Sequence, residues 1–279
     1  MSAENKNPRI AVLIDADNTF NVIPIIDELF EEISKFGDAS VRRIYGDWTQ
    51  NQLNRWKEIL PKHAIQPMQQ YANTKGKNAT DSALIIDAMD LLYTAPLDGF
   101  CIVSSDSDFT RLAIRFRESG KLVYGFGEQK TPESLRAACN KFIYIEILSQ
   151  SKISEETSYD IKLPDSTKDK PKLLNQDIKQ STSQVEDSIT LAPVIKKTSQ
   201  QLACDTKLVA LIRSAIQSIS ESTDDGFANL SEVKKHIVKN YSAFDSRNYG
   251  YPKFSDLINT IGLFELDAKK QRIKDKRKK

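Results

Sequence analysis

The stretch "VSSDSDF", Val103 to Phe109, continues an apolar run, Phe100 to Val103, that is bounded by Gly99. That run has the composition of a buried strand. Beyond it, Asp106 and Asp108 stand two residues apart, a spacing that puts both side chains on one side of an extended chain. Carboxylates held that close repel, and a cation, a shared proton or a mobile loop relieves them. Two other segments end in the same kind of group. "VLIDADN" sets Asp15, Asp17 and Asn18 after an apolar run, and "NATDSALI" sets Asp81 in the first turn of a helical pattern. Gathered together, such acids make a hard, oxygen-rich cation site. The chemistry it suits is phosphodiester hydrolysis, in which divalent ions polarise phosphoryl oxygens and lower the pKa of a bound water. Singly, each acid has a plainer use. Asp81 favours a helix N-terminus, Asp106 or Asp108 caps the helix that starts at Phe109, and Asp17 or Asn18 shapes a turn.

What could gather them is the pattern of elements in the first 150 residues, where short β-rich runs alternate with helical ones. "RIAVLID", "ASVRRIYG", "AIQPM", "GFCIVSS", "KLVYGFG" and "FIYIEIL" read as strands. Helical spacing connects them: residues 23 to 33, Trp48 to Lys62, "DSALIIDAMDLLY", "FTRLAIRFRES" and "PESLRAACN". This alternation predicts an α/β fold, a mostly parallel Rossmann-like sheet with helices on both faces. Ligands in such folds sit at the carboxyl ends of the strands, where these acids fall. Asp87, about 600° around the helix from Asp81, belongs to a different face.

Composition narrows the choice of metal. Cys101, Cys139 and Cys204 are widely spaced and the only histidines are His63 and His236, so neither a disulfide framework nor a zinc site is expected. Oxygen ligands point to Mg²⁺ or Mn²⁺. No apolar run reaches the roughly 18 residues of a membrane span and "MSAENKNPRI" lacks the apolar stretch of a secretory leader, so the expected location is the cytoplasm, with no membrane partner. The net charge is only +2, but "KKQRIKDKRKK" carries eight Lys or Arg against one Asp, either a solvated end or an arm that holds phosphates.

Residues 151–203 lose periodicity and fill with Ser, Thr, Lys, Asp and Gln, the composition of a flexible linker. Order returns at residues 204–268 with three amphipathic helices and a short strand, a small winged-helix-like α+β module, followed by the basic tail at 269–279.

"AVLIDADN", "NATDSALIIDAMDLL" and "CIVSSDSDFTRLA" resemble, in order and spacing, the three motif blocks of the NYN domain, a branch of the PIN-like nucleases, and "VRRIYGDW" fits its second strand. The resemblance covers about residues 8 to 148. It implies metal-dependent endoribonuclease chemistry, with Asp15, Asp81, Asp106 and Asp108 as metal-binding acids and Asn18 assisting. Ser105 stands where relatives commonly have Gly, and the lysine-glycine pair before the helix is displaced to "KGKNATD", which bears on substrate placement. Lys75 and Lys77 there are candidate phosphate contacts. Trp48 is a candidate platform for an unpaired base or a core aromatic.

"FDSRNYGYPKFSDLINTIGLFEL" resembles the LOTUS domain, also called OST-HTH, which implies RNA binding, or protein contact in some relatives. Tyr249, Tyr251 and Lys253 beside a Gly at a helix start are its candidate RNA contacts. The expected protein is therefore an endoribonuclease tethered to an RNA-binding module, with self-association or a protein partner through either domain as a further expectation. Two other readings compete. "LIDADNT" fits the phosphatase pattern of haloacid-dehalogenase-like enzymes, with Asp15 as nucleophile and Asp17 as general acid. Alternatively the acids are vestigial and the chain is a non-catalytic RNA-binding adaptor.

Overall fold

The computed structural model describes residues 7–71, 78–149, 194–220 and 226–277. Six strands, β1 (Arg9–Asp15), β2 (Asp38–Gly46), β3 (Gln66–Gln69), β4 (Gly99–Val103), β5 (Leu122–Gly127) and β6 (Lys141–Tyr144), form one sheet. Their order is β3-β2-β1-β4-β5-β6 and every pair is parallel. Helices α1 (Ile26–Ser34), α2 (Asn54–Lys57), α3 (Ala79–Thr94), α4 (Thr110–Glu118) and α5 (Glu133–Ala138) complete this domain.

Strand parity assigns the two faces. Ile10, Val12 and Ile14 of β1 join Cys101 and Val103 of β4 in one core, with Leu29 and Ile33 of α1 and Trp56 of α2. Ala11 and Leu13 join Phe100 and Ile102 in the other, under Leu84 and Ala88 of α3 and Phe116 of α4. Both faces are covered, so the central strands are apolar throughout, as a buried parallel sheet requires. Phe100 and Phe116 stack with centroids 3.8 Å apart, fixing α4 against β4.

Two elements are shorter than the sequence pattern predicts. The helix expected over Trp48 to Lys62 is a 3₁₀ turn at Asn51–Leu53 followed by the four residues of α2. Pro61 disfavours the helical conformation at Leu60, and Trp56 and Leu60 still turn into the core. The last strand stops at Tyr144 and passes into a 3₁₀ turn, Ile145–Ile147.

The second domain contains α6 (Ser199–Cys204), α7 (Thr206–Ser220), α8 (Leu230–Asn240) and α9 (Phe254–Ile261). Its small antiparallel sheet has the order β7 (Ala228–Asn229), β9 (Arg272–Asp275), β8 (Phe264–Leu266). Leu208, Ile212, Val233, Ile237, Leu257, Ile258 and Ile273 meet in one core. Two expected boundaries move. Within the stretch read as linker, α6 is a helix with a capping box, in which the Thr198 hydroxyl accepts from the Gln201 N–H and the Gln201 side chain accepts from the Thr198 N–H. Residues 151–193 of that stretch lie outside the described residues. The segment read as a basic tail contains β9, the central strand of its sheet, because Ile273 alternates inward between charged neighbours. Arg213 and Asp275 pair across it at 2.9 Å.

The two domains touch at the amino edge of the large sheet. Phe142 of the edge strand β6 donates its N–H to the Ser242 carbonyl at 3.0 Å. Glu32 near the end of α1 takes both terminal nitrogens of Arg247, at 2.7 and 3.0 Å, while Arg247 also binds Asp245. Ala243 packs into the core under α3 to α5, and Val194 packs against the opposite one.

Candidate metal centre

β1 and β4 are neighbours, with Ile14 opposite Val103, so the residues that follow them emerge side by side. By parity Asp15 continues the row of Ala11 and Leu13, and Ser104 continues the row of Phe100 and Ile102, both toward α3 and α4. There the Ser104 hydroxyl donates to Asp15 Oδ2 at 2.8 Å, and Asn18 Nδ2 donates to the same oxygen at 2.8 Å. Asp15 is 1% exposed, and its Oδ1 is buried with no hydrogen-bond partner among the described residues. Burial raises the Asp15 pKa, and the charges of Asp17 and Asp106 add to that against the two hydrogen bonds.

Asp81, Asp106 and Asp108 form a compact group, one oxygen of each lying within 4.8 Å of the others. Asp81 comes from the first turn of α3. Asp106 caps the 3₁₀ turn Ser107–Phe109, its Oδ1 accepting the Asp108 N–H at 2.9 Å, and its own N–H donates to Ser104 Oγ at 3.1 Å. Asn78, just before α3, donates to Asp108 Oδ2 at 2.7 Å. Asp81 pays for this crowding: burial, and then the charges of Asp15, Asp106, Asp108 and Asp17, push its pKa up to about 6. Asp81, Asp106 and Asp108 thus repel across a short gap, an arrangement that a divalent cation neutralises, and Asp15, outside that group of three, adds its charge to Asp81. All the donors are oxygens, and Asp15 has one to spare, so the residues fit a hard ion such as Mg²⁺ or Mn²⁺.

The cap expected at the helix after Phe109 falls instead on the 3₁₀ turn Ser107–Phe109, while α4 itself has no side-chain cap, so the Asp106 carboxylate serves both the turn and the acidic group. Asp87 is engaged elsewhere, by Arg43 at 2.5 Å and by the Tyr45 hydroxyl on β2. Asp17 accepts from the Thr80 hydroxyl and is raised by burial, with a smaller contribution from Asp47. Asp47, at the end of β2, is held well below the usual carboxylate range by hydrogen bonds from Thr49, Gln50 and Gln69. Ser105, the departure from Gly, accepts the Glu128 N–H at 2.9 Å and so ties the loop after β4 to the loop after β5.

The proposed nucleic-acid contacts divide. Trp48 is half-buried against the core, with Nε1 donating to the Met68 carbonyl at 3.0 Å, and is a core aromatic. Tyr251 is 4% exposed and donates its hydroxyl to the Lys197 carbonyl at 2.7 Å. Tyr249 packs against the same core with Lys197 Nζ 4.9 Å from its ring centre. Tyr251 therefore presents no free stacking face, whereas Tyr249 is half-buried. The two flank Gly250, whose φ of +81° turns the chain under the backbone of Lys196. A Cβ on Gly250 would fall 2.5 Å from Lys196 Cα. Lys253 is exposed at the cap of α9. Lys75 and Lys77 lie outside the described residues.

Beyond the expected acids, Ser104, Asn78 and Thr80 hold the site together. Ser104 is legible in retrospect, since strand parity aims it where it aims Asp15. Among the described residues no helix is long and apolar enough to cross a membrane.

A family model of the NYN domain matches residues 9–148, and one of the OST-HTH/LOTUS domain matches residues 202–272. An uncharacterized protein of Methanocaldococcus jannaschii is 27% identical over 125 residues, 43% of this chain and 48% of that protein. The chain thus spans about half the length of that curated relative. A solved structure, a protein of unknown function from Vibrio parahaemolyticus, is 18% identical with a TM-score of 0.44, covering 51% of this chain and 96% of that one. With half of its length matched, and the acids in place at the carboxyl edge of a parallel sheet, the chain belongs to the NYN domain family and carries an OST-HTH/LOTUS domain after it.

Proposed function

We propose that this protein is a divalent-metal-dependent endoribonuclease whose OST-HTH/LOTUS domain binds the RNA to be cut. The observation that carries the reading is the convergence of Asp81, Asp106 and Asp108 within 4.8 Å beside the unpartnered oxygen of Asp15. Those residues would hold Mg²⁺ or Mn²⁺, which supplies Lewis-acid polarisation of a phosphoryl oxygen and an acidified water when bound. The chain's own part is placement. Ser104 and Asn18 fix the Asp15 carboxylate in one rotamer, Asn78 orients Asp108, and the Asp108 N–H orients Asp106. Such supporting hydrogen bonds set the direction of metal-binding oxygens.

The phosphatase reading needs Asp15 to attack phosphorus. Asp15 is almost wholly buried with one oxygen doubly hydrogen-bonded, and that reading leaves Asp81, Asp106 and Asp108 without a task. The test is incubation of the full chain with labelled single-stranded RNA and Mg²⁺ or Mn²⁺. Cleavage that disappears on chelation and in Asp106→Asn is the expected result. Undiminished cleavage in Asp106→Asn overturns the assignment, and RNA binding with no cleavage by the native chain identifies an adaptor instead.

A further inference from the structure

A cavity of about 330 Å³ lies where the two domains meet, at the opposite edge of the sheet from the acids. That volume falls within the range of small-ligand sites. Its walls come from the ends of α4 and α5 on one side and from the end of α8 and the turn after it on the other. Arg117, Arg136 and Lys239 line it, and among the described residues none of the three forms an ion pair with a carboxylate. Arg117 donates to the carbonyls of Ala137 and Ala138, and Arg136 donates Nη1 to the Tyr144 hydroxyl at 2.5 Å. Arg136 Nε is buried with no partner among the described residues. Glu133 is the one acid in the lining. Helix C-termini offset cations with only about half an elementary charge each, so the cavity keeps an excess of positive charge. Tyr241, 40% exposed, adds an aromatic surface to the same wall.

We propose that this cavity is a second RNA subsite, in which Arg117, Arg136 and Lys239 hold a phosphate and Tyr241 meets the adjoining base. Guanidinium groups suit phosphate oxygens, and an aromatic ring accepts any base face. The subsite rests on the endoribonuclease reading and adds a geometry to it. Arg117 lies nine residues after Asp108, through the 3₁₀ turn that precedes α4 and then along α4, about 13 Å in axial rise at the usual helical value. A phosphate seated in the cavity therefore fixes how far from that point the chain is cut. Because both domains build the wall, the subsite exists only while they are docked.

The experiment measures binding of the full chain to a short labelled single-stranded RNA in chelator, where no cleavage occurs, at several salt concentrations. The RNA carries either a 5′-phosphate or a 5′-hydroxyl. Lys239→Gln and Lys239→Glu test the exposed cation, and Arg117→Gln tests the second, with a thermal melt as the control for folding. The expected result is a severalfold loss of affinity, larger for Lys239→Glu, and a salt slope that falls by about 0.7 per lost contact. Loss confined to the 5′-phosphorylated RNA identifies a terminal phosphate, and equal loss with both identifies the backbone. Native affinity and slope in both Lys239 variants overturn the subsite while leaving the nuclease intact if the native chain binds and cuts. A native chain that neither binds nor cuts RNA removes both.

Discussion

Replacing Arg247 by Met removes the cation that joins the two domains. Glu32 has 5% of its side-chain surface exposed and Asp245 11%, so both lose the partner that offsets their burial. Burial alone would raise the Glu32 pKa, yet hydrogen bonds from Arg247 and Lys35 bring it down from 4.5 to about 2. A change of that size corresponds to about 3 kcal/mol of differential stabilisation. Lys35 is half exposed and contributes the smaller, more screened share. Losing one partner of a buried pair costs about 3–5 kcal/mol in general, which agrees. The cost falls on docking, because Glu32 and Arg247 belong to different domains. Hydrogen exchange at the Phe142 amide reads it directly, since that N–H is bonded across the junction to Ser242. Arg247→Met is expected to speed that exchange about a hundredfold at pH 7 while leaving Val12, in the centre of β1, unchanged. The pH dependence has a fixed sign. A depressed carboxylate contributes its full stabilisation above the ordinary value of 4.5 and loses it as pH falls toward 2, so the gap between native and variant closes over that window. Native-like exchange at Phe142 in the variant at pH 7, or a gap that persists in acid, refutes the reasoning.

Ser104→Ala removes a donor to Asp15, and activity or metal affinity measured by titration is expected to fall about 10–100-fold with little change in melting temperature. Gly125→Ala places a Cβ 2.4 Å from Phe142 Cδ2 and 2.8 Å from Cys139 Sγ, and urea unfolding should record a loss of about 1–3 kcal/mol. Asn229 caps α8 by accepting from the Ser231 and Glu232 N–H groups, so Asn229→Ala should cost about 1 kcal/mol in the same assay.

The parts of the fold that were legible are those in which one physical signal dominates. Apolar runs such as Ile10 to Ile14 and Phe100 to Val103 can be satisfied only as strands buried on both faces, and the helical spacing between them leaves a parallel sheet as the outcome. The acids were legible because Asp81, Asp106 and Asp108 follow directly from the ends of those elements. Asn78 and Thr80 were not, since their partners, Asp108 after β4 and Asp17 after β1, belong to distant segments that nothing in local spacing names. Burial of Tyr251 was not legible, because a Gly between aromatics looks like an open turn. Here the turn folds under Lys196 and Lys197, which reach back from a segment whose polar composition hides its order. Charge likewise masked β9, where only Ile273 marks the inward face. Domain docking rests on single residues far apart in the chain, such as Glu32 and Arg247, and no periodicity encodes such a pair.

The contact between Phe142 and Ser242 also bears on how separable the two halves are. β6 ends the large sheet, and a strand in that position offers its outward amide and carbonyl groups to any other extended chain. Cutting the polypeptide after residue 149 would uncover that ribbon together with the apolar ground on which Ala243 rests. The excised NYN half should then self-associate at high concentration, and docking of the second domain should suppress that association within the intact chain.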